Sequence, residues 1–167
     1  LQGNRLYHYQ VRSRDAAGNL SASGDFTFTT AAPLPVIGIW SSAAELASLP
    51  MSGAAWTNLK AKADSTCGTP DLSNQDNPVN VCVLAKALVF ARTGTWSYRD
   101  GVVLAIQSIV NSGTYSGRAL ALGRELGAYV LSADLIDLKN FNPALDNQFR
   151  SKLIELRTTH TTSGPGN

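Results

Sequence analysis

Two arginines, Arg118 and Arg124, stand ahead of Tyr129 in a run dominated by alanine, glycine and leucine, SGRALALGRELGAYVLSADLIDL. A guanidinium holds a carboxylate through paired N–H bonds better than any other side chain, so this stretch suits an acidic sugar. The competing role for the same arginines is to pair with Glu125, Asp134 or Asp137 and tie helices together. Trp96, Tyr98 and Tyr115 fall between apolar runs, where an aromatic ring either stacks on a pyranose face or packs beneath a loop. Arg118, Arg124, Tyr129, Trp96 and Tyr98 are therefore the candidate substrate-binding residues.

Cys67 and Cys82 are the only cysteines and bracket a polar loop, CGTPDLSNQDNPVNVC. A disulfide between them would remove on the order of 3 kcal/mol of unfolded-state entropy and would place the protein in an extracytoplasmic, secreted or periplasmic, setting; two ordinary thiols are the alternative. Zinc would need more ligands at short spacing, and the two histidines, His8 and His160, lie at opposite ends of the chain. Asp71, Asn74 and Asp76 lack the glycine and distal glutamate of an EF-hand loop, so the segment reads as solvated. No G-x-S-x-G or strand-borne phosphate loop occurs, and neither metal nor cofactor is expected.

The elements that must position these residues are mainly helical. Serines and asparagines repeatedly precede apolar runs, as N-caps should. A short leader has Ser42 as cap and Glu45 at the capping-box position and stops at Pro50. Five helices follow. SGAAWTNLKAKADS turns Ala55, Trp56, Leu59 and Ala63 inward; NVCVLAKALVFART carries an inward stripe of Val81, Leu84, Ala85, Leu88 and Ala91 and stops at Gly94. SYRDGVVLAIQSIV buries Val102, Val103, Ile106, Ile109 and Val110. The long helix with the arginines runs unbroken to Leu138, and NPALDNQFRSKLIELRTT starts at Pro143 and buries Leu145, Phe149, Leu153, Ile154 and Leu156. Periodicity leaves a closed bundle and an open helical toroid equally allowed.

Before the helices, Tyr7, Tyr9, Val11 and Ser13 alternate with His8, Gln10, Arg12 and Arg14. DAAGN supplies turn chemistry, and Phe26 and Phe28 alternate with threonines, which together read as a hairpin. AAPLPV then reads as a semi-rigid linker. An apolar content of 44% with 16% charged residues suits a packed body, and a net charge of +2, spread without runs, predicts no nucleic-acid partner. No apolar run is long enough to span a membrane.

Two stretches carry resemblances. LQGNRLYHYQVRSRDAAGNLSASGDFTFTT resembles the last two strands of a fibronectin type III domain, with Leu1 and Tyr7 at tyrosine-corner spacing; a generic two-stranded ribbon is the other reading. VCVLAKALVFARTGTWSYRDGVVLAIQSIV and SGRALALGRELGAYVLSADLIDL are similar to the N-terminal part of the alginate-lyase-like polysaccharide lyases, which are α/α toroids. That likeness implies β-elimination at a uronic acid, with the C5 carboxylate neutralised and a Tyr or His taking the C5 proton. The family's Asn-Asn-His motif and catalytic Tyr have no match here, so the catalytic residues are unknown and are expected beyond this fragment.

The expectation is thus a mainly α chain, a partial α/α toroid preceded by a β-hairpin from a fibronectin type III-like sandwich. Residues 1–31 would be sandwich strands, 32–36 linker, 37–158 the first toroid helices and 159–167 a flexible tail. The partners would be acidic polysaccharide and the rest of the parent chain. The alternatives are a non-catalytic surface protein that binds glycan or protein through fibronectin-like modules, and a self-contained structural bundle.

Overall fold

The computed structural model describes residues 5–30 and 38–161. The chain divides into two compact units, Leu1–Val36 and Ile37–Asn167. The 32–36 linker, the Leu1 end of the tyrosine corner and the tail from 162 lie outside the described residues, as does the His160 side chain.

The first unit is one antiparallel hairpin. Strands β1 (Leu6–Tyr9) and β4 (Phe26–Thr29) pair with Tyr7 opposite Phe28 and Tyr9 opposite Phe26, and β2 (Arg12–Arg14) pairs with β3 (Leu20–Ala22). Alternation puts both tyrosines and both phenylalanines on one face, where Tyr7–Phe28 and Tyr9–Phe26 stack with centroids 5.5 and 5.4 Å apart. The register advances by one residue between Tyr9↔Phe26 and Arg12↔Ala22, because residues 10–11 oppose residues 23–25. At that bulge the Ser23 hydroxyl accepts from the Val11 N–H. The turn is the one that DAAGN spells. Asp15 Oδ1 accepts from the Ala17 and Asn19 amides, and Gly18 takes φ +90, which a side chain would resist.

In the second unit the described residues form seven helices: α1 (Ala43–Ser48), α2 (Gly53–Asp64), α3 (Val79–Thr93), α4 (Trp96–Val110), α5 (Ala119–Leu135), α6 (Leu138–Phe141) and α7 (Pro143–Thr161). Ser42 and Glu45 close the capping box at α1, and Gly94 ends α3 in the left-handed conformation. The α5 stretch does not run unbroken to Leu138. Asp137 adopts φ +52, its carboxylate accepts from the Asn140 side chain, and the chain restarts as α6. The Asn142 side chain then caps α7 by accepting from the Leu145 amide.

One main core joins α3, α4, α5, α6 and α7 through Val83, Ala87, Val102, Ile106, Tyr129, Leu138, Phe149 and Leu156, and α3 packs chiefly on α5. A second cluster, Ala63, Ala85 and Val89, sits between α2 and α3. Of the expected α3 stripe, Ala85 is buried and Leu84 and Leu88 are half-buried. Val81 and Ala91 are exposed, whereas Cys82, Val83, Ala87 and Val89 are buried, because α3 has neighbours on two sides and a single stripe cannot serve both. In α7 Leu145, Phe149 and Leu156 are buried as expected, but Ile154 is exposed and Lys152 is buried. The Lys152 ammonium donates to the carbonyls of Ser112 and Gly113 and to Glu155, so its charge is buried fully bonded.

Candidate functional site

The disulfide is present: Cys67 and Cys82 are bridged, with Cα atoms 5.4 Å apart. It fastens the loop 67–82 to the first turn of α3. Leu72 anchors the loop in the main core, and Tyr115 clasps it from the α4–α5 connection, its hydroxyl 2.8 Å from the Arg118 carbonyl and 3.2 Å from that of Leu72. Tyr115 thus takes the packing role rather than the sugar-stacking one.

Beneath this loop, α5 presents two polar groups to the interior. Glu125 and Tyr129 are one helical turn apart and so share a face. Glu125 is 1% exposed and Tyr129 fully buried. Among the described residues neither carboxylate oxygen of Glu125 nor the Tyr129 hydroxyl has a hydrogen-bond partner. Burial, with Asp71 and Asp76 adding negative potential, pushes the Glu125 carboxyl above the ordinary glutamate value. Burial, followed by the charges of Glu125 and Asp71, pushes the Tyr129 phenol far up as well, so it keeps its proton. Buried, unpartnered, perturbed groups of this kind are candidates for a functional site.

Glu125 was visible in the sequence only as a mate for the arginines, and the structure does not pair it with them. Arg118 occupies the N-cap position of α5, makes no side-chain cap and is exposed, and the Arg124 side chain is more than half exposed. The one ion pair that either makes among the described residues is Arg124 with Asp76, at the outer limit of 4.0 Å. The pairing expected as the alternative, with Glu125, Asp134 or Asp137, is absent among the described residues. The Asp134 carboxylate accepts instead from the Ile39 amide.

The aromatic candidates lie elsewhere, on the first turn of α4. Trp96 is exposed, and its ring covers the Arg99 guanidinium at 4.4 Å; Phe141 covers it at 3.6 Å. Tyr98 donates to Asp64 at 2.6 Å, Asp64 also accepts from Lys60, and the ammonium groups of Lys60 and Lys86 approach the Tyr98 ring within 5.3 and 5.9 Å. The hydrogen bond from Lys60, then that from Tyr98, holds the Asp64 carboxyl below the usual range. Lys86 reaches the Ala63 carbonyl across Gly101, where a Cβ would come within 2.9 Å of its chain, and desolvation lowers its ammonium pKa. A groove of about 450 Å³ runs from this cluster along the disulfide, lined by Asp64, Cys67, Lys86, Gly101 and Ser108 among others.

The five candidates therefore fall into two groups. Arg118, Arg124 and Tyr129 share α5, with Tyr129 inside the core and the arginines outside it; Trp96 and Tyr98 share the start of α4. No group of metal-ligating side chains occurs among the described residues, and no helix among them is long and apolar enough to cross a membrane. No family model, curated protein or solved structure matches the chain.

Proposed function

We propose that this chain is part of a secreted or periplasmic polysaccharide lyase-like protein that acts on an acidic polysaccharide, alginate or a similar polyuronate, by β-elimination, and that the α5 arginines meet the sugar carboxylate. One observation carries this reading: Arg118, at the N-cap of α5, and Arg124, in its second turn, stand exposed, and the one carboxylate within ion-pair distance of either among the described residues is that of Asp76, 4.0 Å from Arg124, although Glu125 adjoins Arg124 in sequence. Glu125 is buried, its carboxyl is held above the ordinary glutamate value by desolvation, and it makes no ion pair with Arg124 among the described residues. An exposed guanidinium is one kind of group that serves β-elimination, since neutralising the C5 carboxylate is what makes the C5 proton removable. The disulfide is consistent with an oxidising compartment.

The test is incubation of the full-length protein with alginate and other polyuronates, following the absorbance of unsaturated product, with affinity electrophoresis in parallel. The Arg118→Ala/Arg124→Ala double variant should lose retardation by polyuronate about tenfold or more, the cost of removing charge-assisted bonds. Retardation without product in the unaltered protein would favour the non-catalytic glycan-binding reading. Neither retardation nor product on any polyuronate overturns both.

A further inference from the structure

A second concavity, of about 620 Å³, opens between α1, α2 and α3 and shares no residue with the α5 arginines. Its walls are apolar: Trp40, Leu46, Trp56, Leu59 and Leu88 line it, and Arg92 closes one side. The volume falls within the range of small-molecule sites, which characteristically combine aromatic walls with one or two oriented polar groups.

Arg92 is the informative member. One of its terminal nitrogens donates to the Leu49 carbonyl at 2.7 Å, which fixes the guanidinium plane. Its Nε is buried with no partner, and among the described residues no carboxylate lies within ion-pair distance of it. The acid at the groove, Glu45, is already engaged, accepting from the Ser42 amide at 2.8 Å and from the Ser42 and Ser41 hydroxyls. A fixed cation with no counter-ion among the described residues, beside two indole rings, favours an anion with a flat apolar body. An uncharged apolar occupant would leave the guanidinium without a counter-charge, and an inorganic anion would leave the indoles bare.

We propose that this groove binds a small aromatic carboxylate, its ring against Trp40 and Trp56 and its carboxylate on the Arg92 guanidinium. The site is independent of the glycan reading and stands or falls without it.

The experiment uses the full chain carrying Trp96→Phe, so that indole fluorescence reports Trp40 and Trp56 alone, titrated with 2-naphthoate and with its uncharged amide. Saturable quenching by the acid, about tenfold weaker for the amide and about tenfold weaker again for the acid with Arg92→Gln, is the expected result, the scale set by one charge-assisted contact. Should Arg92→Gln lose cooperative melting, the acid-to-amide ratio on the Trp96→Phe protein decides the question by itself. Equal affinity for acid and amide would reduce the groove to a plain apolar surface, and unsaturable quenching would remove the site; either overturns the proposal.

Discussion

Two polar clusters in the helical unit follow opposite rules. At the start of α4, Tyr98, Asp64 and Lys60 satisfy one another, Lys86 adds its charge over the ring, and every group lies near solvent. Beneath the disulfide loop, Glu125 and Tyr129 are more deeply buried and have no hydrogen-bond partner among the described residues. A completed network near the surface fastens helices at small cost, whereas an incomplete one in the interior lowers stability and is retained only for another reason. The contrast separates residues that hold the molecule together from those worth testing for function.

The most forceful way to break the comparison is at Tyr129. Tyr129→Ala should cost about 3–5 kcal/mol, as truncation of a fully buried ring does, while Tyr129→Phe should cost little or even stabilise, because only an unpaired hydroxyl is lost. Urea unfolding of the two variants checks this, and a costly Phe variant would mean the hydroxyl has a partner. Removing the bridge with Cys67→Ala/Cys82→Ala should lower stability by about 3 kcal/mol in the same measurement and loosen the loop over Glu125.

The pH dependence of stability sharpens the comparison, because the two carboxyls act with opposite signs. Glu125 has its folded pKa raised, so its contribution is complete below the unfolded glutamate value near 4.5 and is lost as pH rises through the folded value. Asp64 has its folded pKa lowered, so its contribution is present above the unfolded value near 3.8 and is lost as pH falls. Glu125→Gln should flatten the decline on the neutral side, read from melting temperature against pH. Asp64→Asn should remove only a weak decline on the acid side, the smallest effect of the set, since its pair is open to water. An unchanged slope with Glu125→Gln would show that its carboxyl ionises normally.

Much of this architecture was legible where the cause is local. Ser42 with Glu45, Gly94 after Thr93, Pro143 at the start of α7 and the DAAGN turn each satisfy or free backbone groups within a few residues, so sequence alone identifies them. The misses have distant causes. The α3 stripe was placed only in part, at Ala85, because partners on two sides bury Val83 with Ala87 and Ala85 with Val89 on different faces. The break at Asp137 was hidden because Ile136 and Leu138 prolong the apolar pattern while both enter the core across the turn. Lys152 is inside because carbonyls at the end of α4 receive it, a pairing no spacing rule contains. The isolation of Glu125 was likewise invisible, since a glutamate beside an arginine reads as half of a salt bridge until depth is known.

The passage of Lys86 over Gly101 has an evolutionary corollary. Any side chain at 101 would need the flexible lysine stem to shift, so among sequences that diverge from this one a residue larger than glycine at 101 is best accommodated where 86 has become short.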